Sequence, residues 1–172
     1  MDQGQSSDRR RPPTVRLGTP SDIEPAIAVW KASITARRAG RPVPPEHEAQ
    51  VWFALRKPDA FLLVAEDADA IVGMALGMQG LADEGAGPPV PGLTHVSLVF
   101  VAPGRWGEGI GGCLIDAVLD EARLRGYTRA QLWTHADNAR GQRLYEGRRF
   151  WRSGREKDDA AGERIVHFER EL

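Results

Sequence analysis

The chain of 172 residues has the length of one domain, and 41% apolar with 27% charged residues suits a globular fold with enough chain to bury a core. Its 23 Lys and Arg against 24 Asp and Glu leave a net charge of -1, without the basic excess of a dedicated nucleic-acid binder. One cysteine excludes an internal disulfide framework, and no run approaches the roughly 18 apolar residues needed to cross a bilayer, so a cytoplasmic protein without nucleic-acid or membrane partners is expected.

Residues 1–13 are polar, with Arg9-Arg10-Arg11 and a Pro pair, and are expected to form a disordered tail rather than a signal peptide. Residues 14–172 are expected to form a single domain. Thr14 to Leu17 alternate as a short strand. Ile23, Ile27, Trp30 and Ile34 then recur at helical spacing, with Ser21 or Asp22 as cap. Pro42, Pro44 and Pro45 separate this helix from a second, which carries Val51, Trp52 and Leu55 and stops before Pro58.

AFLLVAE and AIVGMALGM, joined by Asp67-Ala68-Asp69, form a predicted hairpin. LADEGAGPPVPG reads as a loop by its Gly and Pro content. THVSLVFVAP is nearly continuous in apolar residues and is expected at the centre of the sheet. Strict alternation would place His95, Ser97, Val99 and Val101 on one face and Val96, Leu98 and Phe100 on the other. The helix GIGGCLIDAVLDEARLRG follows, with Ile110, Leu114 and Val118 on one side, Cys113 expected as inert packing, and Gly126 as its stop. RAQLWTH is a strand, NARGQRLYEG a helix opened by Asp137 or Asn138, and FWRSGRE with ERIVHFEREL a closing hairpin. The order β-α-α-β-β-β-α-β-α-β-β predicts a mixed α/β (α+β) fold.

The turn VAPGRWGEGIGG holds the chemical information. Gly107, Gly109, Gly111 and Gly112 crowd the entry to a helix, where main-chain N–H groups lack partners and the helix dipole favours an anion such as a diphosphate. Gly107, Gly109 and Gly112 match G-x-G-x-x-G, but Pro103 to Trp106 intervene after the strand and residues 127–131 offer no acid, so dinucleotide binding is a weak match. A bend that only packs a helix against a sheet would not need so many glycines.

VAPGRWGEGIGGCLI resembles the cofactor motif of the GNAT superfamily of N-acetyltransferases, V-x-P-x-x-R-G-x-G-I-G, and NARGQRLYEGRRF resembles its second signature, N-x-x-A-x-x-L-Y-E-x-x-G-F. The resemblance implies a GNAT-like fold: a mostly antiparallel mixed sheet of six or seven strands flanked by about four helices. It implies acetyl-CoA as co-substrate, no metal, and an amine of a small molecule or peptide as acceptor, attacked directly in a ternary complex. A non-catalytic acyl-CoA-binding module is the alternative, and a homodimer stays open.

By position, the resemblance assigns Phe100 and Val101 to the pantetheine arm. It assigns Arg105, Trp106, Gly107, Gly109, Ile110, Gly111 and Gly112 to the pyrophosphate, and Asn138, Arg140 and Arg143 to other polar parts of the cofactor. Tyr145 would protonate the departing thiolate. His95 lies where several relatives carry a general base, with a structural hydrogen-bonder as the competing reading; His135 is the weaker candidate. The sequence departs from the pattern at Trp106 for the usual Arg or Gln, Glu108 in an often basic position and expected to face solvent, Gly141 for Ala, and Arg149 for Gly. No metal-ligand spacing is present. For the acceptor, Arg37, Arg38 and Arg41 favour an anion while Asp83 and Glu84 favour a cation, and both remain open.

Overall fold

The computed structural model describes residues 11–172; of the predicted tail, residues 1–10 lie outside the described residues and 11–13 carry no regular element. The strands are β1 (Thr14–Leu17), β2 (Phe61–Asp67), β3 (Ala70–Leu81), β4 (Pro89–Val101), β5 (Arg129–His135), β6 (Trp151–Asp158) and β7 (Arg164–Glu171). The helices are α1 (Ile23–Arg37), α2 (Pro45–Leu55), α3 (Ile110–Leu124) and α4 (Ala139–Glu146). The sheet runs β1-β2-β3-β4-β5-β7-β6, with β4 at its centre. Among the described residues, only β4 and β5 pair in parallel; every other neighbour is antiparallel.

Local chemistry sets these elements. Ala68 and Asp69, both at positive φ, make the two-residue turn whose twist suits the β2–β3 hairpin. Asp22 precedes α1 but does not cap it; its carboxylate accepts from the Thr19 amide at 2.7 Å and from the Arg16 guanidinium at 2.8 Å, tying the end of β1 to the start of the helix. The apolar stripe of α3 combines Ile110, Leu114, Ile115, Val118, Leu119 and Ala122, all buried.

Helices cover both faces of the sheet. Ile27 and Trp30 of α1, with Val51 and Leu55 of α2, bury Leu62, Val64, Met74, Leu76 and Met78. The α3 stripe, with Tyr145 of α4, packs on Phe61, Leu63, Ala75, Val96, Leu132, Val166 and Phe168. Removing this much apolar surface from water is the main stabilising contribution. Among the described residues, no helix is long and apolar enough to cross a membrane.

Three expectations need correction. The Pro-rich end of the predicted loop is strand: β4 begins at Pro89, which pairs with Leu81 as the first residue of the strand, where a missing N–H is tolerated. Strict alternation along β4 also fails. Leu98 faces Leu76 and Val96 faces Gly77, so Ser97 is an unpaired bulge residue and the side-chain phase shifts there. Val99 and Val101 therefore join Val96 on the α3 face, while Leu98 and Phe100 pack with the α1–α2 cluster. Finally, Cys113 is exposed, because the α3 stripe turns away from it.

Candidate active site

The parallel strands β4 and β5 pair only at Leu93–Arg129, Thr94–Ala130 and His95–Gln131. Beyond His95 the two part, because the β4 bulge redirects one and β7 holds the other along its whole length through His135. The β5-facing edge of β4 from Val96 to Val101 is thus without a strand partner. A gap between the carboxyl ends of parallel strands is where open α/β sheets bind ligands.

The Gly turn stands at the end of this gap. Gly107 and Gly109 have φ of 90° and 80°, conformations costly for other residues, and Gly109 is the N-cap of α3. The first helical bond is from the Cys113 amide to the Gly109 carbonyl at 3.2 Å. The amides of Gly109, Ile110, Gly111 and Gly112 therefore have no acceptor among the described residues, and they share one helix N-terminus. Gly111 and Gly112 serve a different need, close approach: a Cβ at Gly111 would touch Leu144 and Val101, and one at Gly112 would collide with the Arg148 guanidinium.

Arg105 is only 9% exposed and is engaged by protein, its guanidinium donating to Glu108 and to Asp67 at 2.7 Å each. Glu108 accordingly does more than face solvent. These hydrogen bonds raise the Arg105 pKa further. They anchor the turn to the β2–β3 hairpin. Trp106 is 43% exposed, and its indole N–H donates to the Val101 carbonyl at 2.8 Å. Phe100 lies partly buried beside it in sequence, on the α1 side.

Asn138 caps α4 by accepting from the Gly141 amide at 3.1 Å while its Nδ2 donates to Thr134 at 3.1 Å. Arg140 is exposed, with its guanidinium 3.5 Å from where a Gly107 Cβ would lie, so it flanks the turn. Arg143 is exposed on the same helix and forms no ion pair among the described residues. Arg148, not singled out by any motif, donates to the Gly112 carbonyl at 3.1 Å and to Asp116 at 2.9 Å, fastening the α4 end to the start of α3.

Tyr145 packs among Phe150 and Phe168 with ring centroids 6.1 Å away, and its hydroxyl has no hydrogen-bond partner among the described residues. Burial pushes its pKa up to about 12. His95 is on the opposite face, with Nδ1 buried and unpartnered. Burial, then the nearby His167, Lys157 and Lys57, pulls its pKa down to about 4, so the ring is neutral. The structure does not bring these two residues into one cavity.

His95 instead lines a cavity of about 740 Å³ on the α1–α2 face. Ser97 and Leu98 of the bulge, Gln131 and Trp133 of β5, and Trp30, Ile34 and Met78 also bound it. On its rim, His135 Nε2 lies 3.1 Å from Asp159 and 3.0 Å from Glu163. These three groups offer ligand atoms within 4.8 Å of one another. Arg37 donates to His135 Nδ1 and to Asp137, so Nε2 is the ring atom that faces the carboxylates. His167 is fully buried and held by Ser153 at 2.7 Å and Gln131 at 3.0 Å, a structural arrangement.

A seven-stranded sheet splayed at its one parallel pair, with a glycine-lined helix entry facing the gap, defines the class of acetyltransferase folds. The chain belongs to the acetyltransferase (GNAT) family, whose profile matches residues 26–150. It is 32% identical over 99 residues to mycothiol acetyltransferase of Beutenbergia cavernae, a match covering 58% of this chain and 30% of that protein's length. Its fold is similar to that of the ribosomal-protein-alanine N-acetyltransferase of Brucella melitensis, with a TM-score of 0.72 at 22% identity over 92% of this chain and 99% of the other. It is also similar to the PaiA N-acetyltransferase of Thermoplasma acidophilum in complex with coenzyme A, at a TM-score of 0.65 and 16% identity over 92% and 98% of the chains.

Proposed function

We propose that this chain transfers an acetyl group from acetyl-CoA to an amine by direct attack within a ternary complex. One observation supports the reading: the unpaired edge of β4 lies between the unpartnered amides at the start of α3 and the 740 Å³ cavity, which His95, Ser97 and Leu98 of β4 line together with Gln131, Trp133 and His135 of β5. Such a path offers an anion-binding end, a strand edge for an amide-bearing arm and a separate chamber for an acceptor.

In this reading the amides of Gly107, Gly109, Ile110, Gly111 and Gly112 hold the pyrophosphate, with Arg140 beside them and Arg143 toward the 3′-phosphate. Arg105 is a positioning residue: Glu108 and Asp67 hold its Nε and Nη1, while Nη2 is buried without a partner among the described residues. The main chain of Phe100 and Val101 meets the pantetheine arm, and the Trp106 indole yields the Val101 carbonyl as that arm enters. Asn138 keeps one N–H and one lone pair for the cofactor beyond its cap.

The amine nitrogen bonds to the thioester carbonyl carbon and the C–S bond breaks. Tyr145 donates a proton or a hydrogen bond to the departing sulfur; a phenol with pKa about 12 is a weak acid, so hydrogen bonding is its larger contribution. His95 at about 4 is too weak a base to deprotonate a free alkylammonium, and takes up the amine proton only as the C–N bond forms. Holding both reactants in place, worth effective molarities of roughly 10⁵ M or more, reduces the demand on either side chain.

Calorimetry with acetyl-CoA, followed by a thiol-release screen across amine classes, tests the proposal. Binding with acetylation of at least one amine class is expected. Binding with no turnover on any amine would favour a non-catalytic acyl-CoA module, and stabilisation by NAD(P)H but not by CoA would replace both readings.

A further inference from the structure

The charged groups around the large cavity are unequally satisfied. Every acid on its wall has a hydrogen-bonding or cationic partner within the chain. Glu84 pairs with Lys157 at 3.1 Å, Asp137 with Arg37 at 3.0 Å, and Asp159 and Glu163 with His135 at 3.1 and 3.0 Å. Arg38, Arg41 and Lys57 line the same cavity and form no ion pair among the described residues. Two opposing hints in the sequence are thereby separated: Glu84 is paired with Lys157 and Arg37 with Asp137, while Arg38 and Arg41 have no anionic partner among the described residues.

Arg38 is the most informative of the three. Its Nε is buried and has no hydrogen-bond partner, which leaves a desolvated donor at the wall. Arg41 donates Nε to the Arg38 main-chain carbonyl at 3.1 Å, and neither guanidinium forms an ion pair among the described residues. The C-terminal end of α1 favours cations there, but that attraction does not satisfy a buried N–H. The planar fork of a guanidinium matches a carboxylate through paired N–H donors. A dianionic phosphate fits less well, because Asp137, Asp159 and Glu163 share the chamber.

We propose that Arg38 binds a carboxylate of the acceptor, so that the acceptor class is an amine bearing a carboxylate together with an apolar group. Trp30, Ile34, Met78 and Leu98 supply the apolar wall. The chamber's role as acceptor site rests on the acetyl-transfer reading; its preference for a carboxylate does not.

The test therefore uses product-like probes that need no turnover. N-acetyl-L-leucine and N-acetyl-L-leucinamide differ only in the carboxylate, and their binding to the full chain is measured by calorimetry. The carboxylate probe is expected to bind about tenfold tighter or more. Arg38→Gln should erase the difference, and Arg38→Lys should restore part of it. Equal binding, tighter binding of the amide, no binding of either probe, or a preference that survives in Arg38→Gln would each overturn the assignment. Calorimetry with acetyl-CoA on the same samples reports separately on acetyl transfer: carboxylate preference without acetyl-CoA binding would sink that reading and leave this one standing.

Discussion

The Arg148 guanidinium occupies the space that a side chain at Gly112 would fill, and its Nε donates to the Gly112 carbonyl at 3.1 Å. Glycine within the first turn of α3 costs about 1 kcal/mol of helix propensity, which the Arg148 anchor to Gly112 and Asp116 offsets. Gly112→Ala should therefore be close to neutral, gaining propensity while displacing a flexible guanidinium from its bonds. In an Arg148→Ala background the same change should stabilise by about 0.5–1 kcal/mol. Urea unfolding of the four proteins in the cycle measures this. Identical effects in both backgrounds would mean the two residues are uncoupled.

Gly109 tests the proposed anion site. It caps α3 at φ 80°, a conformation Asn and Asp adopt more readily than other residues. Gly109→Asn and Gly109→Asp should then share similar backbone strain and differ mainly in charge. A carboxylate about 4 Å from a phosphate costs on the order of 4 kcal/mol at an effective dielectric constant of 20, and solvent screening lowers this. Acetyl-CoA should bind Gly109→Asp at least about tenfold more weakly than Gly109→Asn. Equal dissociation constants would place the diphosphate elsewhere.

Much of this architecture was legible in the residues themselves. The apolar run ending at Val101 marks the central strand, and the spacing of Ile110, Leu114 and Val118 marks α3. What stayed hidden depends on distant partners. The Ser97 bulge is set by how β4 registers on Leu76 and Gly77, and local alternation carries no trace of it. Cys113 is exposed because Ile115, Leu119 and Ala122 widen the buried stripe away from it. Arg105 belongs to the cofactor motif by position, yet its partner Asp67 lies 38 residues away and holds its guanidinium. Arg148 carries no motif, and its one visible signal is a basic residue just past α4 that could reach the unusual glycine pair of α3.

Tyr145→Phe separates catalysis from packing. The hydroxyl has no protein partner, so the ring should pack unchanged and stability should move by less than about 1 kcal/mol. If the hydroxyl serves the departing sulfur, kcat should fall roughly tenfold to a hundredfold while the dissociation constant of acetyl-CoA changes little. With its pKa near 12, Tyr145 stays protonated to well above pH 10, so the wild-type rate should show no descending limb below that pH from this group. An undiminished kcat in the variant would remove Tyr145 from the chemistry.

Arg149 has φ 63°, the left-handed conformation its place before Phe150 demands. A non-glycine residue there costs about 1–2 kcal/mol, and glycine returns about 0.4–1 kcal/mol through a freer unfolded chain. Arg149→Gly should thus stabilise by roughly 0.5–1 kcal/mol, raising Tm by about 2 °C for a domain of this size. Arg149→Ala retains the strain and should bring no such gain. If alanine stabilises as much as glycine, the effect lies in the arginine side chain and not in the backbone.

Two neutral histidines should make the fold sensitive to mild acid. Burial lowers the pKa of both His95 and His167 to about 4, against an ordinary value of 6.5. Above pH 6.5 neither the folded nor the unfolded chain binds these protons, and stability is at its full value. Between 6.5 and 4 the unfolded chain takes up protons that the folded chain refuses, so stability falls as pH falls, by up to about 1.4 kcal/mol per pH unit for each group. Asp22 acts in a lower window: Arg16 and Thr19 depress its carboxyl pKa, so its contribution holds above 3.8 and is lost only below that pH. Urea unfolding at pH 7.5, 6.0 and 5.0 should show a progressive loss, and His95→Gln should make it shallower by the share of one group. A stability that stays flat from 7.5 to 5.0 would mean that both imidazoles protonate freely inside the folded protein.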